Sequence, residues 1–574
     1  RITSAAVIVV LLAVPWYFFR KLFAMTAPVD AVASILLTVI AVRFAAPRAL
    51  LDELRPSLRR LIPVLIVLPV VTALVFLGFE VRAGSEVRYY GLLAIDLGNL
   101  ASAVSAIRIS PMLPLSIVDG GGSISYHWLY FTMPAMLSDF LGASIPSATA
   151  LILTNLLMAA LLFQAVVMTA GWFDEWRGRR YHWIAAVVLF APFTTYFYQA
   201  AATRFPIGWF ALPTRNHLLL SPLNSMITFG NNTFALVLCL FVLVELDRWN
   251  RDGKLADAIL GVIALAMIIG YSVTLVFSVA ATVFIWTLLG RVRRPVVALG
   301  LAVLAGVCAV AIFFAIGILS GGGSRGIGIG FDGGQFFRMV LFGLTPLWVV
   351  AVLGGRARLN IFHVLIAVAI AVPSLLYTTG SSGSQIDFSM KTGSLVAIAF
   401  TPLLALAFRR LFAEGVPRWR AWAAMFVIVL GLVQSSAFLL QFPWYRFARP
   451  SSRGHSIPAG YHDALIWIRD HTPQRAVVVD PQSLNTQEVV DTMMIGERRI
   501  WLPTAYTNEV MIVRPHVEGR LALWSSFAAG DADSGRRIAA AADYLVARGG
   551  VASPYWRPVR PGEWSVFEST LRKP

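Results

Sequence analysis

The chain has 574 residues, 58% of them hydrophobic and only 13% charged, with a formal net charge of +17. A soluble globular chain carries about a quarter charged residues, so this composition argues against an ordinary soluble domain. The surplus arginines sit in short loops between apolar runs, where they set membrane orientation and meet anionic lipid; nucleic acid is not the partner they indicate.

Apolar runs at 4–25, 28–45 and 60–79 open the chain. Each is about the length that crosses roughly 30 Å of hydrocarbon as a helix. The first run, through Ala24, resembles a signal peptide, but another apolar run follows at once with no convincing cleavage site, so it reads as a retained span. A long segment, 80–146, comes next, and further spans are expected at 147–171, 182–200, 226–246, 255–271, 273–290, 294–319, 336–354, 360–378, 391–408 and 419–440. The pair 255–290 has only Gly270-Tyr271-Ser272 at its middle, which predicts a tight hairpin of two short helices. Basic clusters at Arg43–Arg60, Arg177–Arg180, Arg248–Lys254, Arg291–Arg294 and Arg409–Arg420, with Arg356 and Arg358, then fall on one face, the cytoplasmic one by the positive-inside rule. Counting 126–143 as a span would invert every later basic loop. It holds His127, Pro134 and Asp139, so a helix along the outer interface is expected instead.

The long segments 80–146, 201–225, 320–335, 379–390 and 442–574 then face outward. In the last, AVVVD (476–480) reads as a buried strand after a helix around 464–472, with further strands in ADYLVARGG (542–550) and WSVFEST (564–570). The expected fold is a polytopic α-helical membrane protein of about 11–13 spans, with a membrane domain over 1–441 and an extracytoplasmic α/β domain over 442–574, tethered by Pro443–Pro458. Cys239 and Cys308 both lie in apolar runs, so neither a disulfide framework nor a thiolate metal site is expected.

Polar residues that could carry chemistry gather in the outward segments. Asp96 lies in an otherwise apolar, helix-like stretch near Asn99. A carboxylate there is costly unless solvated, paired or coordinating; the plainer reading puts it on the wet face of an interfacial helix. The same loop supplies Tyr126, His127 and a flexible DGGGS segment. Arg204, Arg215 and His217 are ordinary loop charges taken singly, but together could hold a phosphate. Asp387 and Lys391 flank the start of the twelfth span, where Lys391 either snorkels to the interface or meets an anion. The glycine-rich 321–334 matches Gly-x-Ser-x-Gly and Gly-x-Gly-x-x-Gly by chance, without the preceding strand either site needs, and reads as a mobile outer loop.

Asp96 in a large first outward loop, then Tyr126-His127-Trp128, many spans and an outer domain entered through YHDALIWIRDHTPQRAVVVD (461–480) resemble the GT-C superfamily of glycosyltransferases, in its dolichyl-phosphate-mannose mannosyltransferase-like type. The resemblance implies sugar transfer from a polyprenyl-phosphate donor to a glycan, lipid or protein acceptor at the outer face of an inner (plasma) membrane. Asp96 would be the catalytic base, Tyr126, His127, Arg204, Arg215, His217, Asp387 and Lys391 would bind substrate, and a divalent metal such as Mg or Mn is the candidate cofactor. The pattern's His, four residues after the Asp, is Leu100 here. Two other classes compete. A transporter would place ionisable groups and inverted repeats at the midplane, and neither is visible. A non-catalytic subunit of a membrane complex would suit a degenerate loop.

Overall fold

The computed structural model describes residues 15–17, 80–90, 96–110, 128–140, 145–173, 181–191, 222, 226, 230–315, 326–329, 344–355, 359–379, 384–413, 415–447, 454–482, 491–502 and 517–572. The first three expected spans lie outside this set, apart from residues 15–17.

The membrane part is built from α3 (Ser147–Phe173), α4 (Tyr181–Phe190), α5 (Gly230–Asp252), α6 (Leu255–Tyr271), α7 (Val273–Leu288), α8 (Pro295–Ala315), α9 (Thr345–Leu353), α10 (Ile361–Leu375), α11 (Ser384–Ala399), α12 (Thr401–Leu411) and α13 (Arg418–Phe447). Among the described residues, Ser147–Trp172, Gly230–Asp252, Pro295–Ile312 and Lys391–Leu411 are long and apolar enough to cross a bilayer. These stretches coincide with four of the expected spans. The last bends at Phe400 because Pro402, in the first turn of α12, has no N–H for the helical ladder. Burial orders the bundle: α5 is 89% buried and central, whereas α8 is 17% buried and turns most of its circumference outward. Helices α6 and α7 form the expected hairpin, joined by Ser272 alone in an extended conformation. At 17 and 16 residues they rise about 25 Å each, short of the full hydrocarbon thickness of about 30 Å.

Of residues 126–143, the described part, 128–140, packs against the protein rather than lying apart as a surface helix. A 3₁₀ turn, Trp128–Phe131, leads into α2, Thr132–Phe140, nine residues long and too short to span. Ser138 Oγ, near the end of α2, donates to Ile145 O at the mouth of α3, while Tyr130 OH donates to Asn155 Oδ1 at 2.6 Å. Asn155 lies two turns along α3, roughly 12 Å from Ser147. The segment therefore runs antiparallel to the first turns of α3, inside the protein. Pairing its polar side chains there costs less than leaving the backbone against lipid.

The α/β domain follows α13. Its five-stranded sheet has the order β7 (Arg499–Ile500), β6 (Val477–Val479), β8 (Tyr544–Arg548), β10 (Trp564–Ser569) and β9 (Trp556–Arg560); β7, β6 and β8 are parallel and the rest antiparallel. Strand alternation explains why Val-Val-Val has no polar position. Val478 faces the core shared with the membrane helices, while Val477 and Val479 face a second core with Trp501, Ile538 and Phe567. Helix α14 (Ala459–His471) covers the first face; α16 (Val517–Ala528) and α17 (Ala532–Ala541) cover the second.

The described residues of the expected tether, 443–447 and 454–458, belong to regular elements. Helix α13 continues to Phe447, and β5, Gly454–Pro458, pairs antiparallel with β2, Glu86–Tyr90, itself in a hairpin with β1, Glu80–Ala83. Arg82 pairs with Asp463 at 2.8 Å, and Ala459 N donates to Ser85 O. The start of the first outward segment is thus part of the C-terminal domain's edge. In the glycine-rich segment, β3 (Gly326–Ile329) pairs antiparallel with β4 (Leu376–Thr379), so those four residues are strand rather than loop, and the expected span 360–378 is helical only to Leu375.

Candidate active-site region

Part of the segment 80–146 folds into the interior of the molecule. Helix α1, Asp96–Ile109, has every side chain from Leu100 to Ile109 buried. An all-round buried helix needs its polar groups satisfied internally, and here they are. Ser102 and Ser105 donate to the carbonyls of Gly98 and Ala101. Arg108 Nε donates to Asp139 Oδ1 of α2 at 2.9 Å, and its Nη1 donates to Ser147 Oγ at 3.1 Å and to Glu497 Oε2. Glu497 Oε1 in turn accepts from Ser147 N at 2.6 Å, which puts a carboxylate on the N-terminus of α3, where the helix dipole favours it. Glu497, after α15 (Asp491–Met494), is the one non-glycine residue with positive φ (49°) among the described residues. Such a backbone persists only where its surroundings fix it. One buried cluster thus joins α1, α2, the mouth of α3 and the α/β domain.

A second polar group lies deeper. The first turn of α5 places Asn231, Asn232 and Thr233 in the centre of the bundle, all buried. Asn231 Nδ2 donates to Tyr271 O at the α6–α7 elbow, and the Tyr271 ring meets Phe234 edge-on at 4.8 Å. Asn231 Oδ1, Tyr271 OH and Ser278 Oγ are buried without a hydrogen-bond partner among the described residues. Packing here is close: a Cβ on Gly230 would lie 1.9 Å from Tyr130 OH, so only glycine fits. Lys391 is 7% exposed, with Thr392 and Ser394 buried beside it in sequence on α11, which packs against α5 and α7. It therefore sits in the protein interior rather than snorkelling to open solvent.

Of the other residues expected to carry chemistry, Tyr126, His127, Arg204, Arg215 and His217 lie outside the described residues, as do the side chains of Asp96 and Asp387. Their backbones are placed: Asp96 is the first residue of α1 and Asp387 lies in the first turn of α11. Tyr126 and His127 directly precede the 3₁₀ turn, which packs against α1. Among the described residues no group of three His, Cys, Asp or Glu side chains could hold a metal. Sequence reasoning missed Arg108 and Glu497. The same signal that drew attention to Asp96, an ionisable group in an apolar helix-like stretch, was present at Arg108.

These features define an α-helical membrane protein whose α/β domain is docked on the buried, non-spanning helix α1. No protein-family model matches the sequence, and no curated protein matches it. Among solved structures, the chain is similar to the arabinofuranosyltransferase AftD from mycobacteria, determined by single-particle cryo-EM in a mutant form, with 15% identity and a TM-score of 0.43. The match covers 88% of this chain and 41% of that one, so the chain spans less than half the length of that protein.

Proposed function

We propose that the chain is a membrane glycosyltransferase of the GT-C type, moving a sugar from a polyprenyl-phosphate donor to an acceptor at the outer face of the plasma membrane. The observation that carries this reading is the placement of α1. Asp96 heads a buried helix that does not span, and the turn entered through Tyr126-His127 packs on that same helix. The two halves of the sequence resemblance thus come from touching elements. Irregular backbone at membrane depth is tolerated only where protein buries it or a cavity is lined by it.

In this mechanism Asp96 takes the proton of the acceptor hydroxyl as that oxygen attacks the sugar's anomeric carbon. The bond from that carbon to the phosphate oxygen breaks, and cationic groups stabilise the leaving phosphate. Lys391, Arg204, Arg215 and His217 are the candidates for that charge, and Tyr126, His127 and Asp387 complete the substrate set. Residues 1–441 form the membrane domain and 442–574 the outer domain, with the β1–β2 hairpin supplied to the latter by the former.

The test is Asp96→Asn in the purified full chain, assayed for consumption of polyprenyl-phosphate sugars with envelope extract as acceptor. Loss of a general base lowers the rate roughly 10²–10⁴-fold; full activity would place the base elsewhere. A second reading, a non-catalytic subunit, draws on Leu100, which stands at the pattern's His position and is 4% exposed in the core. A wild-type chain inert towards every donor, yet co-purifying with a catalytic partner, would favour it.

A further inference from the structure

We infer a binding site for an anionic phospholipid at the basic end of helices α5–α8, independent of the proposed transferase activity. The last turns of α5 and the α7–α8 connection bring together Arg248, Arg251, Arg291, Arg293 and Arg294, and the connection is built rather than loose. Asn250 Nδ2 donates to Arg291 O at 3.1 Å, Arg293 N donates to Asn250 Oδ1 at 2.8 Å, and Arg293 Nη1 donates to Arg251 O at 3.1 Å. Two of the acids nearby are already engaged: Asp247 accepts from Trp172 Nε1 and pairs with Arg251, and Glu245 pairs with Arg248; Asp252 and Asp257 also lie at this end, with Lys254 between them. Arg248 and Arg251 also flank the Trp172 ring at 4.8 and 5.2 Å. Among the described residues Arg291, Arg293 and Arg294 meet no carboxylate, and all three are exposed.

Beside this cationic set lies a narrow crevice lined by Leu246, Asp247, Trp249, Trp286, Leu301 and Ala302. The surface around it is apolar and exposed: Ile259 and Ile263 on α6, Leu288 at the end of α7, Val296 and Val303 on α8. In a bilayer these side chains meet acyl tails, so the crevice opens into lipid while the arginines stand at its polar end. One occupant satisfies both halves, a phospholipid whose chain lies along the crevice mouth and the apolar helix faces beside it while its phosphate meets the arginines. An acidic protein or free phosphate would use the charges and leave the apolar crevice exposed.

The test is native mass spectrometry of the full chain in detergent with dioleoyl phosphatidylglycerol, dioleoyl phosphatidylethanolamine, dihexanoyl phosphatidylglycerol and inorganic phosphate. We expect selective retention of the long-chain anionic lipid. The triple variant Arg291→Gln, Arg293→Gln, Arg294→Gln should lower its affinity at least about tenfold, since each basic residue near the headgroup contributes. Ala302→Phe fills the crevice while leaving every arginine in place and should lower it as well, which guards against misfolding of the triple variant. Equal retention of the zwitterionic lipid, equal retention of the short-chain lipid, displacement by phosphate alone, or unchanged binding by both variants would each overturn the site.

Discussion

Arg108 shows how a single buried charge can hold two parts of the chain together. Its guanidinium is 5% exposed and Glu497 is 7% exposed, so removing one partner leaves the other charge in a low-dielectric interior. Breaking such a pair costs about 3–5 kcal/mol. Arg108→Met should therefore destabilise the protein by about that much in detergent-solubilised unfolding, and adding Glu497→Gln should recover part of the loss. A single variant within experimental error of wild type would remove the cluster from any role in docking. Asp480 makes a second case. It follows β6 and is fully buried, accepting from Tyr461 OH, Thr492 Oγ1 and Gln482 N. Burial raises its carboxyl to about 6, against the opposing hydrogen bonds from Thr492 and Tyr461. Because the native pKa lies above the ordinary 3.8, the folded domain holds this proton more tightly than the unfolded chain. Its stabilising contribution is then full below about pH 4 and is lost as pH rises through about 6. The gap corresponds to roughly 3 kcal/mol. Asp480→Asn should flatten the stability profile of the α/β domain between those pH values, measured by unfolding monitored at its tryptophans.

At the scale of elements, close approach fixes the bundle. Glycine in a helix interior costs about 1 kcal/mol relative to alanine, so Gly431 inside α13 needs a reason. A Cβ there would lie 2.3 Å from Ala191 O and 3.0 Å from its Cα, both backbone atoms that cannot swing away. Gly431→Ala should separate α13 from the end of α4 and cost about 1–3 kcal/mol by overpacking; an unchanged melting temperature would contradict the contact. The five-stranded sheet was legible for the same kind of local reason. Val477–Val479, Tyr544–Arg548 and Trp564–Ser569 are β-branched or aromatic runs bounded by turns. The sheet of β1, β2 and β5 was not legible, since Val87 meets Ile457 across the whole membrane domain and neither short run announces a distant partner. The α6–α7 hairpin was visible because apolar composition fails only at its elbow. The inclination of α2 was not, because composition cannot separate a helix lying along an interface from one packed against α3.

For the whole molecule, we propose a sidedness from the Arg-rich loops, which by the positive-inside rule would be cytoplasmic and leave the α/β domain outside. Ser526 is exposed on α16, and the native Cys239 and Cys308 lie within α5 and α8. Ser526→Cys should therefore react with an impermeant maleimide added to intact cells. Labelling only after the membrane is opened would reverse the topology. The proposed orientation would put the arginines at the end of α5–α8 against the anionic inner leaflet, and Asp96 in the part of the chain that joins the bundle and the α/β domain.

By itself the sequence determined the membrane class, because no soluble fold hides so many apolar runs and lipid forces each into a helix. It also determined the strands whose two faces are both buried, and it drew attention to Asp96 through the cost of a carboxylate among apolar neighbours. Only the tertiary structure decided that α1 is interior rather than surface, that Arg108 and Glu497 meet across 389 positions of chain, and that the described part of the tether is helix and strand. Those facts depend on pairings between residues far apart in sequence. Local propensity and hydrophobic period carry no record of such pairings, since nothing in the sequence around one partner names the other.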